Sequence, residues 1–336
     1  MATTALTPTP RPIDVLNAEA MPEEVSQGKV ILQRFLRHRL AVIALIVLAT
    51  ISVIVLLAPY IAPFKPTELR VGNYFLPPGS VADDGRVHWL GTDNIGRDYL
   101  SRLIYAGRIS LTVAIMAQIG SSLLGIVIGS ISGYVGTWVD PLVMRFVEFM
   151  LSIPQLPLLL IISSIIIQYR EALQLPAPLA NFISWLLIIP TTETTQIVAI
   201  IGIFIAFGWM GDSRLMRGMV LSLKEQTYTE AARALGSSHW RIIFRHMIPN
   251  AMAPMIVSAS LGLSGFIIAE AALSFLGLGI QDPTPTWGNM LSIAQSSMLQ
   301  IPWLPLIAGT PIFVCSLAFN FVGDGVRDAL DPRLKM

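Results

Sequence analysis

Long apolar stretches alternate with shorter polar ones along the chain, and this pattern predicts membrane-spanning helices. A helix needs about 20 predominantly apolar residues to cross a hydrocarbon core of roughly 30 Å. We therefore expect an all-α integral membrane protein with six transmembrane helices. The expected spans, in chain order, are residues 40–64, 109–135, 146–167, 196–210, 251–269 and 303–322.

The polar stretches divide the chain into five parts. Four basic residues precede the first span with no acidic residue among them: Lys29, Arg34, Arg37 and Arg39. The positive-inside rule therefore places the N terminus in the cytoplasm. Six spans then bring the C terminus to the same side. The parts are a flexible cytoplasmic tail (1–28), an N-terminal transmembrane helix (29–65), an extracytoplasmic segment with an interfacial helix (66–108), a membrane core (109–323) and a cytoplasmic tail (324–336).

The composition agrees with a membrane protein and excludes other classes. Hydrophobic residues make up 54% of the chain and charged residues 13%, and the mean hydropathy is +0.66, which is too apolar for a solvated surface. A net charge of +1 gives no reason to expect nucleic acid as a partner. The single cysteine, Cys315, leaves no disulfide framework or cysteine-based metal site.

Special residues inside the spans predict how the helices pack and bend. Gly125, Gly129 and Gly133 form a stripe of small residues on one face of the second span, which permits close approach of another helix. Pro154 and Pro157 are expected to bend the third span, and a bent helix can line a pathway or simply be bent.

Two features allow more than one interpretation. Residues 172–190 are apolar enough for a further span, but prolines interrupt them, and an external hairpin keeps the charge rule consistent, so we expect the hairpin. Glu270 is an acid in a long apolar stretch. It is either a functional charge at membrane depth or a side chain at the outer end of a span, and we expect it to face water or a partner subunit.

A polar and basic stretch, residues 227–249, separates two apolar ones and is called the elbow below. Thr227 and Glu230 have the spacing of a capping box, which predicts a helix start. Gly236 follows a run of helix formers, as expected of a left-handed residue that ends a helix, and the next two serines can cap a second helix. The elbow is either an ordinary capped loop or a rigid surface on which another protein docks.

A resemblance favours the docking surface. The run from Glu230 to Ala232, followed by Gly236 and then Ile248-Pro249, is similar to the EAA loop of permease subunits of binding-protein-dependent ABC importers. The resemblance implies that residues 212–249 form a cytoplasmic coupling loop whose helix rests in a cleft of an ATPase subunit. The residues implied in coupling to the ATPase are Glu230, Ala231, Ala232, Leu235 and Gly236.

Other segments extend the resemblance over most of the chain. Residues 90–93, 96–98 and 107–111 look like the start of C-type permeases of dipeptide, oligopeptide and nickel importers, as do the later SFLGLG and PTPTWG stretches. The resemblance implies the type I ABC importer permease fold, a prokaryotic inner-membrane location, and peptides or related small solutes as substrate. It implies as partners a second homologous permease chain, two ATPase subunits or domains, an extracytoplasmic substrate-binding protein and membrane lipid.

The sequence lacks the common catalytic motifs. Its one Gly-Lys pair, Gly28-Lys29, is followed by Val30 and makes no phosphate-binding loop, so we expect ATP and Mg on partner subunits and no cofactor on this chain. Asp93 and Asp98 suggest a metal site, but no third ligand accompanies them. We expect no catalytic residue and no enzyme activity. The alternative function, an ion- or proton-coupled secondary transporter, usually places ionisable residues within spans, and these spans have almost none.

Overall fold

The computed structural model describes residues 27–70, 72–169, 173–187 and 191–331, and these are mostly helical. Nearly all of the predicted N-terminal tail and the last five residues lie outside this part of the chain. The helices are α1 (Gln27–Arg37), α2 (Arg39–Leu56), α3 (Ala58–Ile61), α4 (Tyr99–Val135), α5 (Val139–Ser152), α6 (Gln155–Gln168), α7 (Ala177–Leu187), α8 (Thr194–Lys224), α9 (Thr227–Ala234), α10 (His239–Arg241), α11 (Ile248–Phe275), α12 (Trp287–Ser296) and α13 (Leu304–Leu330), with a 3-10 turn (Thr191–Glu193) and a π-helical turn (Ile242–Met247).

The described residues contain five helices long and apolar enough to cross a membrane, or six if one bent pair counts as a span. The bent pair is α5 and α6, which meet at 86° around Pro154. The predicted bend of the third span is therefore confirmed, because proline interrupts the hydrogen bonds of a helix.

Several helices run beyond the apolar stretches from which they were predicted. α4 begins at Tyr99, so the expected interfacial helix is its first part and not a separate element. α8 continues to Lys224 and α13 to Leu330, so both helices extend beyond the predicted span ends at 210 and 322. The first part of the predicted coupling loop, from 212, is thus helical, as are residues 324–330 of the predicted tail. Hydropathy marks the apolar part of a helix, whereas polar residues with partners inside the protein extend it.

The segment over 172–190 contains the short helix α7. Its 11 residues extend over only about 17 Å, which is too short to cross a membrane and agrees with the predicted hairpin. Pro178 lies in its first turn, where the missing N–H leaves no helical bond unmade. Ala172 and Pro190 lie outside the described residues.

The glycine stripe of α4 packs directly on α8. A Cβ at Gly125 would lie 2.6 Å from the Asp212 Cβ, and one at Gly133 would lie 3.0 Å from the Arg217 carbonyl oxygen. Side chains larger than hydrogen do not fit between the two backbones. The predicted close approach is thus confirmed, and α4 and α8 are the most extensively packed helix pair in the described part of the chain.

Polar structure lies at both ends of α4. A two-stranded antiparallel hairpin, β1 (Ser80–Val81) with β2 (Val87–His88), lies within residues 62–98, which we call the polar cap. Asp98 caps the first turn of α4. Tyr134 in its last turn contacts His239 of the elbow, so the polar cap and the elbow lie at opposite ends of the bundle.

Candidate functional site

The elbow is a helix, a glycine turn and a second helix. The Gly236 N–H donates to the Arg233 carbonyl (2.9 Å), and the Ser237 N–H donates to the Ala232 carbonyl (3.0 Å). This pair of bonds is the Schellman motif, which needs a left-handed residue at the turn, and Gly236 has φ +75°. Ser238 accepts from the Arg241 N–H and caps α10. The predicted glycine stop and serine cap are confirmed.

The start of α9 differs from the expectation. Its N-cap is Gln226, which makes no side-chain cap bond, so the predicted capping box of Thr227 and Glu230 is wrong. Thr229 has the structural role instead: its buried hydroxyl donates to the Leu223 carbonyl at 2.8 Å. This bond connects α9, the first arm of the elbow, with the C-terminal end of α8.

The end of α4 anchors the elbow from within the chain. The Tyr134 hydroxyl and the His239 Nδ1 share a hydrogen bond of 2.9 Å. The Arg233 guanidinium lies 5.6 Å from the Tyr134 ring centre, and the Lys224 amine donates to the Tyr134 carbonyl at 2.8 Å. Sequence reasoning missed this anchor because nothing near Tyr134 in the chain connects it with residues about a hundred positions later.

The five predicted coupling residues do not all face the same way. Glu230, Ala231 and Gly236 are exposed, and Leu235 is 85% exposed. Ala232 is buried and packs against a core of α8 and α11 side chains. The structure therefore presents four of the five at the surface and uses the small side chain of Ala232 to bring the arm close to the bundle.

The second arm of the elbow consists of α10 and the π-helical turn. It carries exposed aromatic side chains that the sequence analysis did not select. Trp240 and Phe244 are 60% and 49% exposed, and their rings stack with centres 5.8 Å apart. Their i, i+4 spacing is the sequence signal that would have found them. Together with Leu235 they give the elbow an apolar surface among basic residues, which is typical of a contact site.

A second candidate region is an open cavity of about 560 Å³ along α5, α6, α8 and α11. Its walls are apolar and aromatic, with Gln155 as a polar side chain and four glycines that expose backbone. The lining residues are Leu151, Gln155, Leu156, Leu159, Phe204, Phe207, Gly208, Met210, Gly211, Gly262, Gly265, Phe266, Ile268, Ala269 and Ala272. The bend at Pro154 brings α6 to this cavity.

The polar cap shares a network of charges with the first turn of α4 and the loop before α12. Asp93 Oδ2 accepts from Arg97 Nε at 2.6 Å, and Asp282 accepts from Arg102 at 2.8 Å and from Arg97 at 3.3 Å. Burial would raise the pKa of Asp282, but the attraction of both guanidinium groups outweighs it and lowers the pKa below its ordinary value of 3.8. Charge pairing therefore holds the cap to the loop before α12.

Asp98 and His88 form a second buried pair in the cap, with Asp98 Oδ1 2.8 Å from His88 Nδ1. Asp98 also accepts from the Ser101 hydroxyl and N–H, and the His88 ring stacks on Phe64 at 4.3 Å. The oxygens of Asp93 and Asp98 are thus taken by donors of the chain itself. No group of three metal-binding side chains occurs within the described ranges.

Glu270 does not face water or a partner, so that expectation is wrong. It is 1% exposed, and it accepts from the Ser110 hydroxyl of α4 at 2.8 Å and from the Ser274 hydroxyl at 2.7 Å. Ser110 also accepts from the Trp287 N–H (3.3 Å). The carboxylate therefore joins α4, α11 and the start of α12, a contact that the sequence position of Glu270 does not reveal.

Comparison with known proteins gives matches over most of the chain. A family described as "binding-protein-dependent transport system inner membrane component" matches residues 125–336. A second, described as the N-terminal TM domain of oligopeptide transport permease C, matches residues 26–78. The matched ranges include the elbow, the cavity and α1 to α3. The proteins of the first family are membrane permease subunits of ABC transporters, and separate subunits of those transporters carry the ATPase activity.

Individual relatives cover nearly the whole chain. The dipeptide transport system permease protein DppC of Alkalihalophilus pseudofirmus is 36% identical over 93% of this chain and 91% of its own. The DppC protein of Haemophilus influenzae is 38% identical over 90% of this chain and 93% of its own. The oligopeptide transport system permease protein OppC of the same organism is 36% identical over 90% of this chain and 87% of its own.

Proposed function

The chain belongs to the family of binding-protein-dependent transport system inner membrane components, and we propose that it is a permease subunit of an ATP-driven peptide importer. A multi-pass location in the inner membrane follows from the family and from the apolar helices. Peptide is proposed as substrate because the relatives are named for dipeptide and oligopeptide transport. The cavity beside the bent helix pair is proposed as this chain's half of the pathway.

We assign coupling to ATP hydrolysis to the exposed side of the elbow. The supporting observation is the rigid Schellman turn at Gly236, which holds Leu235 outward beside the exposed Glu230 and Ala231. A fixed turn with an exposed apolar side chain suits docking into a preformed cleft, because little conformational entropy is lost on binding. Ala232 acts from the buried side and sets the position of the arm.

The proposed assembly contains the partners that the sequence implied. A second homologous permease chain completes the pathway, two ATPase subunits lie beneath the two elbows, and an extracytoplasmic protein delivers the substrate. ATP and Mg bind to the ATPase subunits. The elbow and both termini face the cytoplasm, as the positive-inside rule indicates. Closure of the ATPase dimer moves the elbow as a rigid unit, and the helices around the cavity switch between outward and inward opening.

The test compares two glycines with the same backbone geometry. Gly236 in the elbow and Gly277 after α11 both have φ +75°, and a Cβ would meet nothing within 4 Å at either position. Valine at either site is strained by the backbone alone. The tagged chain is co-expressed with its permease and ATPase partners, purified in mild detergent and assayed for bound ATPase and for ATP hydrolysis.

Gly236→Val is expected to lose the ATPase subunits or their regulated activity, whereas Gly277→Val keeps both. Equal retention of ATPase subunits and activity in the two variants would refute coupling through the elbow. The substrate class is tested separately, by uptake of a radiolabelled dipeptide into proteoliposomes that hold the complete transporter. Absence of ATP-dependent uptake of dipeptides and longer peptides would refute the peptide assignment.

A further inference from the structure

Asp212 is a buried carboxylate in the middle of α8, and it is 7% exposed. Its Oδ1 accepts from the Ser258 hydroxyl of α11 at 2.7 Å. Its Oδ2 accepts from the Ser122 hydroxyl of α4 at 2.6 Å. One side chain therefore joins three transmembrane helices, and each carboxylate oxygen is held by a serine from a different helix.

The position of this junction relative to the elbow is informative. α8 leads into the elbow and α11 leads out of it. At 1.5 Å per residue, Asp212 lies about 18 Å from the elbow end of α8, and Ser258 lies about 15 Å from the elbow end of α11. The hydrogen bond between Asp212 and Ser258 connects the two helices at this distance from the elbow. We call the elbow, together with the parts of α8 and α11 between it and this bond, the frame.

The interior of this frame is filled with apolar side chains. Met216 and Val220 of α8 are fully buried and pack with Met247, Ala251 and Met255 in one cluster. The cluster also includes the buried Ala232 of the elbow. Because a close-packed interior has low compressibility, a displacement of the elbow moves the whole frame and is not absorbed within it.

On the other side of Asp212 lies the cavity. Gly208 and Gly211 of α8 and Gly262 and Gly265 of α11 belong to its wall, so the junction separates the packed frame from the cavity. The junction also extends toward the wall through Gln118, whose amide donates to the Ser122 hydroxyl at 2.7 Å. The Gln118 Oε1 packs directly against Gly262, where a Cβ would not fit.

A buried carboxylate is a costly way to join helices in a membrane. Charged side chains within spans carry an energetic penalty, and hydroxyl donors offset only part of it. An apolar contact would hold the helices together at lower cost. The two short hydrogen bonds of Asp212 are directional and have a fixed length. They therefore set the relative positions of α4, α8 and α11 at one level.

We propose that Asp212 is the positioning residue that transmits movement of the elbow to the cavity wall. The inference rests on the proposed coupling function of the elbow and adds the element through which the movement is passed on. Asp212 does not contact substrate in this role. It holds Ser258 so that α8 and α11 move together, and it holds Ser122 so that α4 follows.

The experiment reports on the cavity wall without requiring a known substrate. Gly265 is an exposed wall residue with open space around it, so Gly265→Cys is accommodated. The native Cys315 is buried. The complete transporter with Gly265→Cys is reacted with a maleimide without nucleotide and after trapping with ATP and vanadate. The ratio of the two labelling rates measures the response of the wall to ATP.

Four changes are made in this background. Ser258→Ala removes the bond between α8 and α11, and Ser258→Thr keeps a hydroxyl there. Ser260→Ala is the matched control, because the Ser260 hydroxyl donates only to the Ile256 carbonyl of its own helix. Gly236→Val tests the elbow itself. ATP hydrolysis and melting temperature are measured for each variant.

Ser258→Ala is expected to reduce the nucleotide-dependent labelling ratio about fivefold while ATP hydrolysis persists, and Ser258→Thr is expected to restore it. Ser260→Ala keeps the ratio of the parent. An unchanged ratio in Ser258→Ala, with a reduced ratio in Gly236→Val, overturns the role of Asp212 and leaves the elbow proposal standing. An unchanged ratio in Gly236→Val overturns the elbow proposal and with it this inference.

Discussion

The polar cap and the elbow lie at opposite ends of α4 and differ in how far the chain itself buries their side chains. In the cap and the adjoining first turn of α4, Arg97 and Arg102 are nearly fully buried, and their carboxylate partners belong to the same chain. In the elbow, Leu235 and Trp240 are 85% and 60% exposed beside a rigid turn. A closed network stabilises its own fold, whereas an exposed apolar side chain on a fixed turn is suited to a partner.

This difference separates the segments that carry the resemblance into two kinds. The Gly-Thr-Asp and Gly-Arg-Asp runs of the cap are explained within the chain, because Gly91 has φ +77° and Asp93 holds Arg97. The exposed Glu230 of the elbow, by contrast, makes no side-chain hydrogen bond or ion pair with any other described residue. Similarity to a family therefore marks residues that stabilise the fold of the subunit as well as residues that the fold leaves exposed.

The largest expected effect comes from breaking the cap network. Arg102→Ala removes a buried cation from Asp282 and Asp93, and we expect a loss of about 3 kcal/mol in the free energy of unfolding. Arg241→Ala, an exposed arginine of the elbow, is the control and is expected to change it by less than about 0.5 kcal/mol. Denaturant unfolding in detergent measures both, and equal losses would contradict the contrast between the two ends.

The next effect is on binding and not on stability. Leu235→Ala removes an exposed apolar side chain, so the melting temperature is expected to stay unchanged. Affinity for the ATPase subunits is expected to fall about tenfold, or about 1.4 kcal/mol, because Leu235 is the most exposed apolar side chain of the proposed contact. Binding of purified ATPase to the immobilised permease measures it. Exposed Leu299, at 95%, provides the control through Leu299→Ala, and a similar fall in that variant would count against the elbow.

A smaller effect is expected from the buried side of the elbow. Tyr134→Phe removes the hydrogen bond to His239 and keeps the ring under Arg233, so it is expected to cost about 1 kcal/mol of stability. Thermal melting of the purified chain measures this cost. Tyr228→Phe in the same elbow is the control. A loss in Tyr228→Phe as large as in Tyr134→Phe would argue that Tyr134 does not anchor the elbow.

The smallest expected effect is a pH dependence of the cap. The pKa of Asp282 is lowered in the folded chain, so its contribution to stability is present above the unfolded value of 3.8 and is lost as the pH falls through the folded value. In Asp282→Asn, the melting temperature is expected to fall less steeply with decreasing pH below about pH 4 than in the parent. Leu299→Ala, which removes no titratable group, should keep the parent profile, and a flattened profile there would contradict the assignment to Asp282.

Local features of the sequence were sufficient for much of the architecture. Apolar stretches predicted the spans, Pro154 predicted the bend, and the stripe at Gly125 predicted the close contact of α4 with another helix. The left-handed turn at Gly236 and the serine cap after it also followed from the residues themselves. These properties depend on hydropathy and on backbone preferences, which each residue carries wherever the chain places it.

The tertiary structure decided which residues are buried and what they contact. Ala232 faces the core although it lies within the same motif as the exposed Ala231, and Thr229 replaces Thr227 as the residue that fixes the start of the arm. Glu270 and Asp212 are held by serines of distant helices. Such contacts depend on which faces of α4, α8 and α11 meet, and neither composition nor spacing within one segment specifies that.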